Sequence, residues 1–456
     1  MNSKKYEIDM TNGPLMGKLI TFCVPLMLSG ILQLLFNAAD LVVVGRFTGS
    51  DALAAVGATS ALINMLTNLF IGVSIGVNVA AAKAFARSDA EAMDRTVHTA
   101  ITFAVISGGA AMAVGLILAR PILQLMGTPE GVIDLSALYM RIYFCGMLFF
   151  MLYNYGAAVL RAVGDTRRPL IFLIISGILN VFLNLLLVIV FDLGVAGVAI
   201  ATVFSQMVSC VLVLICLLKS DGMYRLDLRR LRISLPVLKS MLIIGLPAGI
   251  QSVIISFSNV LLQSSVNSFG EAAMAGYTAE CNLTGFMYVT VNAISQSCLT
   301  FSSQNLGAGK PPRIKRVVLY CVGLEVVISL ALGIGVYMLG HAIISIYTSS
   351  EAAIAAAIQI MPMTLIPYFF CGVMDCMTGA LRGLGRSTAP MLLTVIGTVG
   401  VRIFWIFLIF PLNRTLTFLF VSYPLSWICT IVMQVTCYLI VWKKDFSSGR
   451  SSFSAV

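Results

Sequence analysis

The sequence predicts an all-α polytopic membrane protein, with twelve transmembrane helices in two pseudo-symmetric six-helix bundles, an N-lobe and a C-lobe. The first observation is composition: the 456 residues are 59% hydrophobic and only 11% charged, whereas soluble domains carry about 25% charged residues. The second is that twelve apolar segments reach the length of about 20 residues that a spanning helix needs. The third is a motif that recurs in both halves.

The apolar segments follow one another with short polar connections. Their predicted limits are 18–44, 52–82, 94–119, 134–158, 169–191, 195–218, 240–267, 273–304, 315–340, 354–380, 389–410 and 416–442. The longest and most basic connection separates the sixth segment from the seventh. The predicted domains are a cytoplasmic N-terminal tail over 1–17, an N-terminal six-helix lobe over 18–218, a basic cytoplasmic linker over 219–239, a C-terminal six-helix lobe over 240–442 and a cytoplasmic tail over 443–456.

Lys and Arg residues set the predicted orientation. Nearly all of the 29 fall in one alternating set of connections, and the other set carries only Arg46, Arg120, Arg141 and Arg414. Because cytoplasmic connections of membrane proteins are rich in basic residues, this asymmetry predicts that both termini are cytoplasmic. The net charge of +10 is therefore assigned to topology and to contacts with anionic membrane lipid, not to nucleic-acid binding.

The two halves repeat a connection motif. Leu160-Arg-Ala-Val-Gly-Asp-Thr-Arg-Arg-Pro169 recurs as Leu381-Arg-Gly-Leu-Gly-Arg-Ser-Thr-Ala-Pro390, 221 positions later. Near the start of each half a proline and an asparagine recur 222 positions apart, Pro25 with Pro247 and Asn37 with Asn259. Because both halves begin on the cytoplasmic side, the repeat is parallel, an arrangement typical of transporters. The two prolines are predicted hinges, since proline removes one backbone hydrogen bond and permits a bend.

The first apolar segment carries three polar residues on one face. Gln33, Asn37 and Asp40 have the spacing i, i+4 and i+7, which places them on one stripe of a helix. A carboxylate within a segment of hydrocarbon length is costly, and by default it indicates a functional site. The alternative is a helix cap or a satisfied interhelical hydrogen bond.

Further polar residues of the N-terminal half fall on the fourth, fifth and sixth segments. Asn180 and Asn184 are four residues apart and share a helix face, while Asn154 lies on the fourth segment and Thr202 on the sixth. With the stripe of the first helix they are predicted to form one polar pocket. Alternatively, Asn180 and Asn184 only join helices through hydrogen bonds.

The C-terminal half carries Glu280, Glu325, Asp375 and Arg402 within or near predicted spans. Asp375 is a candidate for binding a cationic substrate. Buried membrane charges usually find partners, however, and we favour a structural pair of Asp375 with Arg402. Glu280 falls near a predicted helix start, where it either contributes to substrate binding or complements the helix dipole. Glu325 faces either a cavity or a neighbouring helix.

Missing motifs argue against several classes of function. The eleven Cys and two His residues form no Cys-x-x-Cys pair and no Cys/His cluster, so neither a metal site nor a disulfide framework is predicted. His98 and His341 are far apart, and no His-Glu-x-x-His motif occurs. We therefore expect no enzyme and no cofactor. Without a Walker-type loop, an ion gradient is the expected energy source.

Three stretches carry a resemblance to a known family, namely Leu160–Thr166, Gly194–Thr202 and Ser303–Lys310. With these motifs and its six-plus-six layout, nearly the whole chain resembles the multidrug and toxic compound extrusion (MATE) family. The resemblance implies a monomeric cation-coupled antiporter of the bacterial cytoplasmic (inner) membrane. Such a protein exports small cationic or neutral amphiphilic molecules in exchange for H⁺ or Na⁺.

The resemblance also implies roles for individual residues. Asp40 falls where the family has its first-helix acid, and Asn180 and Thr202 fall where one branch has polar partners of that acid. Asn184 stands where some relatives carry a second Asp, and Ile255 stands where another branch carries a Glu. The resemblance therefore leaves the identity of the coupling ion open. We expect the coupling residues to be Asp40, Asn180, Asn184 and Thr202. The predicted substrate-binding residues are Gln33, Asn37, Asn154, Glu280 and Asp375.

A second interpretation within the same superfamily is a flippase for lipid-linked saccharides. A flippase for an anionic pyrophosphate lipid should line its cavity with several Arg or Lys residues. Here only Arg402 is clearly intramembrane, where we expect a structural role, and this favours cationic or neutral cargo. A buried carboxylate in a two-half repeat also favours alternating access over a channel.

Overall fold

The computed structural model describes residues 6–446, apart from the side chains at positions 50, 51, 53 and 61. Every regular element in this range is helical. The α-helices are α1 (Leu15–Phe47), α2 (Ser50–Ala86), α3 (Ala90–Leu125), α4 (Glu130–Cys145), α5 (Met147–Ala162), α6 (Arg167–Leu185), α7 (Gly194–Leu218), α8 (Leu235–Asn267), α9 (Glu271–Gly307), α10 (Pro311–Met338), α11 (Gly340–Tyr347), α12 (Glu351–Thr364), α13 (Tyr368–Gly383), α14 (Thr388–Thr394), α15 (Val401–Phe404), α16 (Leu416–Phe420) and α17 (Ser422–Phe446). Short π or 3₁₀ stretches are Leu186–Val190, Leu228–Arg230, Val395–Gly400, Trp405–Ile409 and Phe410–Leu412.

All twelve predicted spans fall on these helices. By length and apolarity, nine helical segments within residues 6–446 are able to cross a membrane, and two bent pairs raise the number to eleven. The pairs are α4 with α5, bent by 42°, and α12 with α13, bent by 47°. The remaining predicted span, 273–304, lies within the 37-residue helix α9. The predicted tails over 1–17 and 443–456 lie partly outside the described residues.

Contacts divide the chain into two units. Unit 1 comprises residues up to Asp9 and Leu28–Leu246, and unit 2 comprises Met10–Met27 and the chain from Pro247 onwards. In unit 1, α5 packs against α2, α3 and α7. In unit 2, α9 packs against α10, α12 and α13. Each unit buries its own apolar core.

This division differs from the predicted lobe boundaries at two helices. The beginning of α1 belongs to unit 2, and the beginning of α8 belongs to unit 1. The changes fall next to Pro25 and at Pro247, which both lie inside their helices. Since proline removes a backbone hydrogen bond of the helix interior, each helix is able to direct its two parts to different neighbours.

The repeated motif forms the same turn in both units. Gly164 and Gly385 both have positive φ, +95° and +87°, a region that glycine enters without steric cost. In unit 1 the turn also holds a buried ion pair between Asp165 and Arg168. The Arg168 guanidinium donates to the hydroxyl of Tyr224 at 3.0 Å. This cluster joins the turn to the linker that follows α7.

In unit 2 the segment 10–13 is held by the motif that ends at Lys310. The amide of Asn305 donates to the Met10 carbonyl at 3.2 Å, and the Lys310 ammonium donates to the Thr11 carbonyl at 3.1 Å. The guanidinium of Arg313 donates to the same Met10 carbonyl and to two further carbonyls, those of Asn12 and Gly13, at 2.8–3.2 Å. This segment is therefore bound largely through its backbone.

Candidate functional site

Asp40 of α1 is hydrogen-bonded to α6. The side-chain amide of Asn184 donates to one oxygen of the Asp40 carboxylate, and the same amide donates to the Asn180 side-chain oxygen at 3.3 Å. Asn180 and Asn184 are buried, 5% and 0% exposed. The two helices approach closely at Gly177, where a Cβ atom would overlap the ring of Phe36.

The carboxylate of Asp40 has no basic partner in residues 6–446, since no Lys, Arg or His nitrogen among them lies within 4.0 Å. Two tyrosines of α4, Tyr139 and Tyr143, are close enough to interact with it electrostatically. Sequence reasoning missed both tyrosines. Their i, i+4 spacing places them on one helix face, with ring centroids 6.2 Å apart, and this spacing is the signal that would have singled them out.

The other predicted residues of this pocket make no hydrogen bond to Asp40. Thr202 donates to the Val198 carbonyl at 3.0 Å and Asn154 to the Phe150 carbonyl at 2.8 Å, both four residues back on their own helices. Such back-bonding is common for short polar side chains inside helices. Gln33 and Asn37 are exposed. The structure thus brings together Asp40, Asn180 and Asn184.

In unit 2 the predicted pair of Asp375 with Arg402 does not form. Arg402 donates instead to Asn259 and to Ser426, both at 3.3 Å. Asp375 interacts electrostatically with Arg382, two turns later on the same helix. The prediction was wrong because Arg402 finds its acceptors on α8 and α17 instead, and hydropathy does not encode which neighbouring helix a charge meets.

Two further carboxyl groups of unit 2 are buried. Glu280 accepts from Thr284 at 2.6 Å. It lies in the third turn of α9, too far from the helix start to complement the helix dipole as one alternative expected. Glu325 accepts from Ser329 at 2.5 Å and faces α13 at Gly372. Its second oxygen has no hydrogen-bond partner among the described residues.

One motif resembles a hydrolase signature. Residues 72–76 read Gly-Val-Ser-Ile-Gly, the pattern of a nucleophile elbow. They lie inside α2, and the hydroxyl of Ser74 donates to the Ile71 carbonyl at 2.7 Å. An elbow needs a sharp turn between strand and helix, so this serine is part of an ordinary helix.

The arrangement at Asp40 suits exchange of a proton or a cation. A carboxylate that accepts a hydrogen bond from an amide, without a neutralising base, is able to take up a proton or to bind a cation through its oxygens. Asn184 has a buried side-chain oxygen that accepts no hydrogen bond within residues 6–446, and this oxygen adds a second acceptor. Hard cations prefer such oxygen ligands.

Comparison with known proteins agrees with this fold and this repeat. Two curated relatives from Bacillus subtilis (strain 168) are the probable multidrug resistance proteins YoeA and YpnP. YoeA is 29% identical over 431 residues, 93% of each chain. YpnP is 27% identical over 407 residues, 87% of this chain and 88% of its own. The multidrug export protein MepA of Staphylococcus aureus (strain MRSA252) is 21% identical over 94% of each chain.

Solved structures show the same fold. A MATE protein in complex with MaD3S has a TM-score of 0.87 at 20% identity, covering 95% of this chain and 97% of its own. An outward-facing multidrug resistance MATE family transporter also scores 0.87, at 22% identity, covering 97% and 98%. The profile of the MatE family matches residues 25–186 and again residues 247–408, two copies offset by the 222 positions that separate Pro25 from Pro247. The chain therefore belongs to the MatE family of membrane transporters.

Proposed function

We propose that this protein is a cation-coupled antiporter that exports organic cations and other xenobiotics from the bacterial cytoplasm by alternating access. Both termini would then lie in the cytoplasm, as the distribution of Lys and Arg predicts. The names of the relatives support drug export as the activity. The observation that carries the proposal is the hydrogen bond between Asp40 and Asn184, which joins α1 to α6 without a basic partner.

Exchange follows from competition for one carboxylate. An ionised Asp40 accepts the Asn184 amide and attracts a cationic substrate. Uptake of H⁺ removes the charge, weakens this charge-assisted hydrogen bond and releases both the substrate and the contact between α1 and α6. Bound Na⁺ would compete with the substrate in the same way. Pro25, on the same helix, permits α1 to bend as the contact changes.

The test is efflux from proteoliposomes loaded with a fluorescent organic cation. A pH gradient and a Na⁺ gradient are imposed separately on the wild type, on Asp40→Asn and on Asp134→Asn. Asp134 is a suitable control because it forms an exposed ion pair with Arg120 at 3.1 Å. We expect one gradient to drive efflux in the wild type and in Asp134→Asn. Efflux in Asp40→Asn should fall to that of protein-free liposomes, and wild-type efflux in this variant would contradict the proposal.

A further inference from the structure

Arg402 is a buried cation in the interior of unit 2. Its side chain is 3% exposed, and its guanidinium donates to the Ser426 hydroxyl and to the Asn259 side-chain oxygen. The guanidinium also lies 4.0 Å from the ring centroid of Tyr423. We call Asn259, Arg402, Tyr423 and Ser426 the Arg402 cluster.

The positive charge of this cluster is not neutralised by the described chain. No carboxylate among residues 6–446 lies within 4.0 Å of the guanidinium nitrogens. A guanidinium has five N–H donors, and the two hydrogen bonds leave three without an acceptor among the described residues. The Tyr423 ring attracts the cation but does not cancel its charge. Because an uncompensated charge is costly at membrane depth, the cluster is complete only with an anion.

By the internal repeat, Arg402 stands at the position of Asn180, a residue of the Asp40 site. Arg402 and Asn259 follow Asn180 and Asn37 by 222 positions, and Tyr423 and Ser426 follow Thr202 and Ser205 by 221. The position that corresponds to Asp40 is Leu262, a fully buried apolar residue. The second copy therefore has a leucine in place of the acid and an arginine in place of an asparagine, so its binding preference should be of opposite sign.

The ring of Tyr423, which lies against the guanidinium, belongs to a larger aromatic cluster. The Tyr423 ring lies 5.6 Å from Phe420 and 5.4 Å from Trp427, and Trp427 in turn lies 5.6 Å from Tyr368. Among the residues that contact Arg402, Asn259 is exposed and Tyr423 is only partly buried, whereas Phe420, Trp427 and Tyr368 are buried. A planar aromatic ligand would therefore stack on Tyr423 and accept a charge-assisted hydrogen bond from Arg402.

We propose that the Arg402 cluster binds the carboxylate of aromatic organic anions and zwitterions. This proposal deepens the proposed function, on which it rests, by adding carboxylate-bearing aromatics to the cargo. The free N–H groups of Arg402 would donate to both carboxylate oxygens, a geometry that guanidinium favours. A lipid phosphate offers the same acceptor chemistry, so the experiment separates the two sources.

The test uses three pyrene probes that differ only in their end group: pyrenebutyrate, the neutral pyrenebutanol and the cationic pyrenebutylamine. Binding is measured by fluorescence polarisation on the full-length protein in phosphatidylcholine nanodiscs. We expect pyrenebutyrate to bind the wild type at least ~10-fold more tightly than pyrenebutanol, the size of a charge-assisted hydrogen bond. Equal affinities of these two probes would overturn the proposal without any substitution.

Two variants place the anion at Arg402. Arg402→Gln should lose the preference for pyrenebutyrate while its affinity for pyrenebutylamine is unchanged. Arg402→Lys, which keeps the charge but not the fork of donors, should retain part of it. Thermal unfolding shows whether Arg402→Gln folds. If it does not, the preference of Arg402→Lys for pyrenebutyrate is the deciding measurement. An unchanged preference in a folded Arg402→Gln would overturn the proposal.

Two controls separate the sources of failure. Phosphatidylglycerol added to the nanodiscs should leave pyrenebutyrate binding unchanged, whereas its loss would assign the cluster to lipid phosphate and overturn the proposal. Efflux of the organic cation is measured in parallel. Organic-cation efflux together with a failure to prefer pyrenebutyrate would reject the anion site and leave the proposed antiport intact.

Discussion

At the residue scale, the units differ in how they keep ionisable groups inside an apolar protein. Asp40 accepts a hydrogen bond from the Asn184 amide of α6. Arg402 donates to an amide oxygen and a hydroxyl and lies against an aromatic ring. Neither has a counter-ion within residues 6–446. We therefore expect substitutions of the supporting residues to affect transport more than stability.

Among these supporting residues, Asn184 gives the most direct test, because its amide donates to Asp40. We expect Asn184→Leu to reduce gradient-driven efflux about tenfold, since a hydrogen bond to a charged group contributes ~1.5–3 kcal/mol. Asn154→Leu is the matched control, because Asn154 donates only to its own helix. Efflux rates in the proteoliposomes described above measure both. Equal rates for the two variants would show that the Asp40–Asn184 bond has no role in coupling.

A second prediction at this scale concerns the turn before α6. Asp165 is 0% exposed and forms an ion pair with Arg168, and Asp165→Asn would leave the guanidinium without its charge partner. Breaking a buried pair in this way costs ~3–5 kcal/mol. Thermal unfolding in detergent should therefore shift strongly to lower temperature.

An exposed ion pair of the same unit supplies the control for this change. Asp134 pairs with Arg120 at 3.1 Å, and the two side chains are 75% and 50% exposed. Because exposed pairs contribute at most ~1 kcal/mol, Asp134→Asn should shift the unfolding temperature little. A shift as large as that of Asp165→Asn would show that exposure does not govern the contribution of these pairs.

At the element scale, glycines determine how closely helices approach. A Cβ atom on Gly276 of α9 would lie 2.5 Å from the Ala353 carbonyl oxygen of α12. Gly276→Ala must push the two backbones apart, and overpacking of this kind costs ~1–3 kcal/mol. We expect a lower unfolding temperature for this variant, measured by intrinsic fluorescence in detergent.

Gly285 is the matched control on the same helix. No heavy atom outside its own helix lies within 4 Å of a Cβ built there, so Gly285→Ala should unfold at or slightly above the wild-type temperature because alanine favours helix. A destabilisation equal to that of Gly276→Ala would indicate a general sensitivity of α9 and not the contact with α12.

The elements also show what could be predicted from the sequence. Span positions were predictable because length and apolarity are local properties, and the predicted segment 18–44 corresponds to α1. The bend between α4 and α5 was not predictable in this way, although Gly146 lies at the break between the two helices. Hydropathy measures how apolar a segment is and carries no information about its direction.

Side-chain pairing was the least predictable level. The face shared by Asn180 and Asn184 follows from helical spacing alone, and the structure brings these residues to Asp40. Asp375 and Arg402 looked like partners because both are charges in apolar segments. Which group meets which, however, depends on how the neighbouring helices pack, and in unit 2 Arg402 meets side chains of α8 and α17.

At the scale of the whole molecule, the passage of α1 and α8 from one unit to the other predicts where movement requires flexibility. Pro247 lies where α8 changes unit. Pro247→Ala restores a backbone hydrogen bond and stiffens the helix at this point. We therefore expect the efflux rate to fall about tenfold, while the unfolding temperature is unchanged or higher.

Pro236 is the control for this prediction. It occupies the first turn of α8, where the missing N–H has no helical partner in any case. Pro236→Ala should therefore transport at the wild-type rate in the same efflux assay. Slower efflux in both variants would show that loss of a proline, and not of the bend at residue 247, causes the effect.

The segment 10–13 has a consequence for how this protein tolerates change. Asn305, Lys310 and Arg313 recognise its carbonyl groups, and every amino acid supplies a carbonyl. A side-chain substitution at position 11 would leave these hydrogen bonds in place, whereas deletion of one residue would shift all of them out of register. The side chain of Met10, in contrast, is fully buried. The anchor therefore depends on spacing and on the side chain of Met10, and an affinity tag fused ahead of residue 6 should leave it undisturbed.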